Sequence, residues 1–132
     1  MKSQNRTGLS NGEFAPCASS PNCVSTQSDQ KKKLFPVLEY DRLSEPKQML
    51  KELVLSMERV KLLVEESDYL HFEFTTSIGK FKDDVEFYFP GDKRIIHMKS
   101  CSRVGHWDLG ANRRRLKKIR RAFKKALAAK QV

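Results

Sequence analysis

The chain has 132 residues, enough for one small domain and too few for two. Apolar residues make up 39% and charged residues 32%, and no apolar run nears the ~20 residues of a membrane helix, which excludes a spanning segment as well as collagen-like, coiled-coil and wholly disordered classes. The net charge is +10, and residues 113–130 carry ten basic side chains and no acid, so the rest of the chain is balanced.

Residues 1–33 are rich in Ser, Asn, Gln, Thr and Lys and read as a disordered or loop-like polar segment. Within it, residues 14–25 hold Cys17, Cys23, two prolines and Asn22, and read as a shaped loop. An apolar lead, residues 34–38, opens a single domain over 34–130. Ser44 is placed to cap a helix over 45–57, with Pro46 in its first turn and Met49, Leu50, Leu53, Val54 and Met57 at helical spacing. Val60, Leu62 and Val64 alternate with Arg59, Lys61 and Leu63, which predicts a strand, and Ser67-Asp68 makes a turn. Strands follow over 69–76, 83–89 and 94–102, separated by turn signals at Gly79 and at Pro90-Gly91-Asp92. The last helix covers 112–129, with Leu116, Ile119, Phe123, Ala126 and Leu127 as its apolar stripe. The predicted order is α-β-β-β-β-α: an α+β fold with an antiparallel four-stranded meander sheet and two amphipathic helices on one face.

The first 33 residues lack the apolar core of a signal peptide, so the expected location is cytoplasmic. Three cysteines at these spacings do not form a disulfide framework or a zinc motif. Cys17 and Cys23 could close a loop if oxidised, and could then act as a thiol switch. No metal and no cofactor is expected. Cys101 beside a histidine could be a nucleophile, but a cysteine in mid-sheet is usually inert packing.

Three constellations can carry function. The first is the strand-to-helix segment 99–115, where Ser100, Ser102, Arg103, Gly105, Asp108, Gly110, Asn112 and Arg113 gather hydroxyls, glycines and guanidinium groups near a helix start. This points to an anion-binding site; the plainer reading is helix capping and an internal ion pair. The second is the polar face of the sheet. Alternation puts His71, Glu73, Asp84, Glu86, His97 and Lys99 on one side, fit for acid–base chemistry or for solvated cross-strand salt bridges. The third is the basic face of the last helix, with Arg114, Arg115, Lys117, Lys118, Arg121, Lys124 and Lys125, which attracts polyanions such as nucleic acid or an anionic membrane surface. No interleaved aromatic platform accompanies it.

Three stretches make the sequence similar to a known family. They are Pro16-Cys17 to Ser20-Pro21-Asn22-Cys23-Val24-Ser25, then residues 81–87, then Ser100-Cys101-Ser102-Arg103-Val104-Gly105 to Asp108-Leu109-Gly110-Ala111-Asn112-Arg113-Arg114-Arg115. In this order they resemble the domain of unknown function 1499, a family of bacteria and plastid-bearing eukaryotes. The resemblance implies a shared site and no defined activity. It favours a site in which the Cys17/Cys23 loop lies near Arg103, Asn112 and Arg113, with Asp84 and Glu86 close by as acids or as partners of the arginines. The expected function is a non-enzymatic binding domain with an anion at segment 99–115. The alternatives are a nucleic-acid accessory protein using the basic helix, and an enzyme using Asp84, Glu86 and a histidine.

Overall fold

A computed structural model describes residues 7–17, 22–41, 45–104 and 110–130. A short hairpin, β1 (Leu9–Ser10) with β2 (Glu13–Phe14), precedes β3 (Cys23–Ser25), a 3-10 turn (Lys31–Lys33) and β4 (Leu38–Glu39). Helix α1 (Pro46–Leu55) follows, then the strands β5 (Val60–Glu66), β6 (Tyr69–Thr75), β7 (Lys82–Tyr88) and β8 (Ile95–Ser102), and last helix α2 (Ala111–Lys130). The mixed α+β class, the antiparallel pairing and the two helices agree with the sequence pattern.

The sheet corrects it. It has six strands rather than four, in the order β3-β8-β7-β6-β5, with β4 also on β8. β3 pairs with residues 99–101 of β8 and β4 with residues 95–96, so the two short strands share the edge of β8 that β7 leaves open. The element order therefore starts with strands, and residues 7–17 and 22–33 of the segment expected to be disordered or loop-like are part of the fold. Strands of two or three residues do not show the alternation by which longer strands are recognised. Ser44, the expected cap, lies outside the described residues, and Pro46 stands in the first turn of α1.

One face of the meander is apolar. Leu70, Phe72, Val85, Phe87, Ile96 and Met98 pack there against Leu50 and Val54 of α1 and Leu116, Ile119 and Phe123 of α2. These side chains are almost wholly removed from water, each contributing about 1.5–3 kcal/mol to folding before entropy is counted. A register shift between Leu62 and Val64 interrupts the expected alternation. Leu62 stays opposite Phe72, but Val64 comes opposite His71, so it leaves the apolar face and is exposed.

The other face is polar, yet at its centre His71, Asp84, Glu86 and Lys99 are buried. Residues 7–17 lie over it. Phe14 is buried there, and the Gln27 side chain holds the segment by accepting from Phe14 N–H and donating to the Gly12 carbonyl. A disulfide between Cys17 and Cys23 ties the end of the segment to the edge strand β3.

Candidate functional site

Asp83 and Asp84 are neighbours in β7, and strand alternation sends them to opposite faces of the sheet. Each meets a different arginine. On the helix side, Arg115 Nη2 donates to Asp83 Oδ2 at 2.7 Å. On the far side, Arg103 donates to both oxygens of Asp84, from Nε at 3.0 Å and from Nη2 at 2.9 Å. The residues gathered by segment 99–115 thus form two centres, not one.

The helix-side centre is a closed network. Asn112 is fully buried; its Nδ2 donates to the Asn22 carbonyl at 3.1 Å and to Ser102 Oγ at 2.9 Å. Its Oδ1 accepts from Ser100 Oγ at 2.6 Å and from Arg115 Nη1 at 2.9 Å. The Arg115 guanidinium also lies over the Phe74 ring, 4.9 Å from its centroid. Asn22, next to Cys23, reaches Asn112 here, while Arg103 and Arg113, which were expected beside it, lie elsewhere. Gly110, at φ +78°, precedes the first turn of α2, a backbone conformation that favours glycine.

The far-side centre is larger. The strand register sets His71 against Glu86, Glu73 against Asp84, and Glu86 against Lys99. His71 Nε2 lies 2.7 Å from Asp84 Oδ1, and Arg103 Nη1 lies 2.9 Å from Glu73 Oε2. Burial acts to raise the Asp84 carboxyl pKa, but hydrogen bonds from His71 and Arg103 outweigh it and hold the pKa near 2. The Arg103 pKa is raised chiefly by its hydrogen bonds to Asp84. Beneath residues 7–17, Glu86 Oε1 accepts from Tyr69 OH at 2.6 Å and from Gly8 N at 2.8 Å. Lys99 Nζ donates to the Ala15 carbonyl at 2.6 Å and stands 3.8 Å from Glu86 Oε2. Burial pushes the Glu86 pKa up, and burial together with the nearby Glu86 charge pushes the Tyr69 pKa up.

Other expected residues lie apart. Arg113 turns to the other flank of α2, donates to the carbonyls of Leu34 and Lys32, and lies over the Phe35 ring. His97 pairs with Thr26 Oγ1 and stacks on Tyr88, away from Asp84. Gly105 and Asp108 lie outside the described residues. Among the described residues no group of three or more His, Cys, Asp or Glu is placed to hold a metal ion. Of the basic helix face, Arg115 is turned inward, whereas Arg114, Lys117, Lys118, Arg121, Lys124 and Lys125 are exposed.

Sequence reading missed Asp83 and Tyr69. An acid on the same strand face as Val85 and Phe87 was the available signal, since it demands a buried cation. It also missed a cleft of about 740 Å³ between the C-terminal end of α1, the end of β6 and the first turns of α2. Arg59, Arg114, Arg115 and Lys118 line the cleft with one acid, Glu58.

The fold and its two ion-pair centres define a small α+β domain with a polar seam on each face of its sheet. The family described as "Protein of unknown function (DUF1499)" matches residues 13–123, and the chain belongs to that family. No curated protein and no solved structure matches the chain. Among the described residues no helix is long and apolar enough to cross a membrane.

Proposed function

We propose that the protein is a non-enzymatic binding domain that takes an anionic group at the start of α2. The cleft at that point carries the proposal: Arg59, Arg114, Arg115 and Lys118 line it, with Arg59 paired to Glu58 and Arg115 to Asp83. The N-terminal end of a 20-residue helix adds its positive dipole there. Within segment 99–115, Arg103 and Arg115 pair with internal carboxylates. Arg114 lines the cleft, with Lys118 beyond the segment and Arg59 across it, where Arg59 also pairs with Glu58 and donates to the Thr75 carbonyl. Titration of pyrophosphate by calorimetry tests this. The wild type should bind, and Arg114→Ala with Lys118→Ala should weaken binding about tenfold or more. A wild type that binds no pyrophosphate overturns the proposal.

A second reading is nucleic-acid binding, supported by the exposed row Lys117, Arg121, Lys124 and Lys125. Its affinity would fall steeply with salt. The enzyme reading has support in the raised pKa of Glu86, but Gly8 and Ala15 cover that carboxylate and its lysine neighbour. The cytoplasmic location expected from the sequence is a separate part of the proposal, and the Cys17–Cys23 disulfide is the observation that stands against it. Cys17 and Cys23 found reduced in fresh extracts would support that location; a persistent disulfide would point to an oxidising compartment.

A further inference from the structure

We propose that the end of the domain formed by the β6–β7 turn, the exit of β8 and the start of α2 docks onto an anionic lipid surface. The proposal shares Arg114 and Lys118 with the reading above for part of its electrostatics, and its apolar part stands apart from that reading.

Three large apolar side chains are exposed at this end: Ile78 at 85%, Phe81 at 55% and Val104 at 60%. Single exposed apolar residues are ordinary, but these share one place. Asp83 pairs with Ser102, and the ladder continues through Arg103 N–H to the Lys82 carbonyl, so Val104 comes opposite Phe81. Ile78 stands at the tip of the turn that leads into Phe81.

The turn is built to hold them there. Thr76 N–H donates to the Phe81 carbonyl at 2.8 Å, and Phe81 N–H donates to Thr76 Oγ1 at 2.9 Å. The Thr76 hydroxyl donates to the Ile78 carbonyl at 2.8 Å. Gly79 has φ +83°, and a Cβ there would run into the Phe81 ring, so glycine lets the ring fold back beside the tip. The result is a shaped convex tip, which suits a planar partner rather than a peptide groove.

Charge selects the partner. Residues 75–82 include Lys80 and Lys82 and no acid, with Lys82 lying 3.5 Å from Glu73 of β6, and Arg114 and Lys118 line the cleft that also borders Thr75, Thr76 and Ser77. Each basic side chain near an anionic bilayer strengthens partition by about fivefold. An inserted isoleucine and phenylalanine add to that, as in other weak interfacial anchors. A nucleic acid would gain from the cations but nothing from Ile78 and Val104.

The test uses the full chain in co-sedimentation with phosphatidylcholine vesicles, with and without phosphatidylglycerol. The protein should sediment only with the anionic vesicles. Ile78→Asp should lower partition about tenfold and leave pyrophosphate binding and the circular dichroism spectrum unchanged. Partition that Ile78→Asp does not alter, or no partition at all, overturns the proposal. Binding of a single-stranded oligonucleotide without vesicle binding also overturns it. Vesicle binding that depends on Ile78 in a protein that binds no pyrophosphate upholds the docking surface while removing the ligand site proposed above.

Discussion

Arg103 holds Asp84 in a two-pronged grip, Nε to Oδ2 at 3.0 Å and Nη2 to Oδ1 at 2.9 Å, and its third nitrogen reaches Glu73. The arginine stands just past the end of β8, while its partners come from β6 and β7. It therefore ties the exit of β8 to the two preceding strands. Arg103→Ala should lower stability by about 2–3 kcal/mol, because Asp84 would keep its burial and lose its fork. Arg103→Lys should recover only part, since an ammonium cannot bind both oxygens in one plane. Urea denaturation of the two variants measures this. Wild-type stability in Arg103→Ala would show that the fork contributes nothing to folding.

Asp84 and Glu86 sit two residues apart on one face and should give opposite pH dependences. The Asp84 pKa is lowered to about 2, so its share of stability is present above pH ~4 and is lost as the pH falls through about 2. The Glu86 pKa is raised, so the folded state favours the protonated acid. Its contribution is full below the ordinary carboxyl pKa and is lost as the pH rises through the raised value. Glu86→Gln should flatten the stability profile above pH ~4.5 and leave the loss at low pH in place. A profile of the variant that overlays the wild type would remove Glu86 as the source.

Asn112 joins three parts of the chain through one side chain: Asn22 of the Cys loop, Ser100 and Ser102 of β8, and Arg115 of its own helix. Asn112→Ala should cost about 1–3 kcal/mol, since the buried Ser100 hydroxyl loses its acceptor and the Asn22 carbonyl keeps only Ser102 N–H. Asn112→Asp keeps the shape but sets a carboxylate oxygen against the Asn22 carbonyl and adds a buried charge beside Arg115. It should also destabilise by more than 1 kcal/mol. Thermal melts at neutral pH measure both. Equal stability of Asn112→Asp and the wild type would show that the amide donors contribute little.

Much of this was legible in the sequence. Four long strands and two helices follow from periodicity, and alternation alone placed His71, Glu73, Asp84, Glu86 and Lys99 on one face. Burial of that face was not legible, because its cover has no periodic signal. Residues 7–17 are small and polar, with Phe14 as the one fully anchored apolar side chain among those described. They are held by backbone contacts such as Gly8 N–H to Glu86 and the Ala15 carbonyl to Lys99, which composition does not reveal. The division of segment 99–115 was hidden for another reason. Residues near in sequence point to opposite faces of a strand, and only the register shows that Arg103 and Asn112 work on different sides.

The Cys17–Cys23 disulfide closes a short loop at the point where the covering segment joins β3. Cross-linking a loop of this size removes chain entropy worth about 2 kcal/mol from the unfolded state. The segment's other ties, at Gly8, Gly12, Phe14 and Ala15, reach only the far face of the sheet and Gln27, so the cost of reduction should fall locally rather than on the whole domain. Mild reduction, or Cys17→Ser, should speed amide exchange at Gly8 and Phe14 while the central amides of β6 and β7 stay protected. Lifting the segment would also hydrate Glu86, so its pKa should fall back toward the ordinary carboxyl range. Carboxyl titration by NMR in the two redox states follows that fall. Unchanged exchange at Gly8 after reduction would show that the hydrogen bonds to Glu86 and Tyr69, with Phe14, hold the cover without the disulfide.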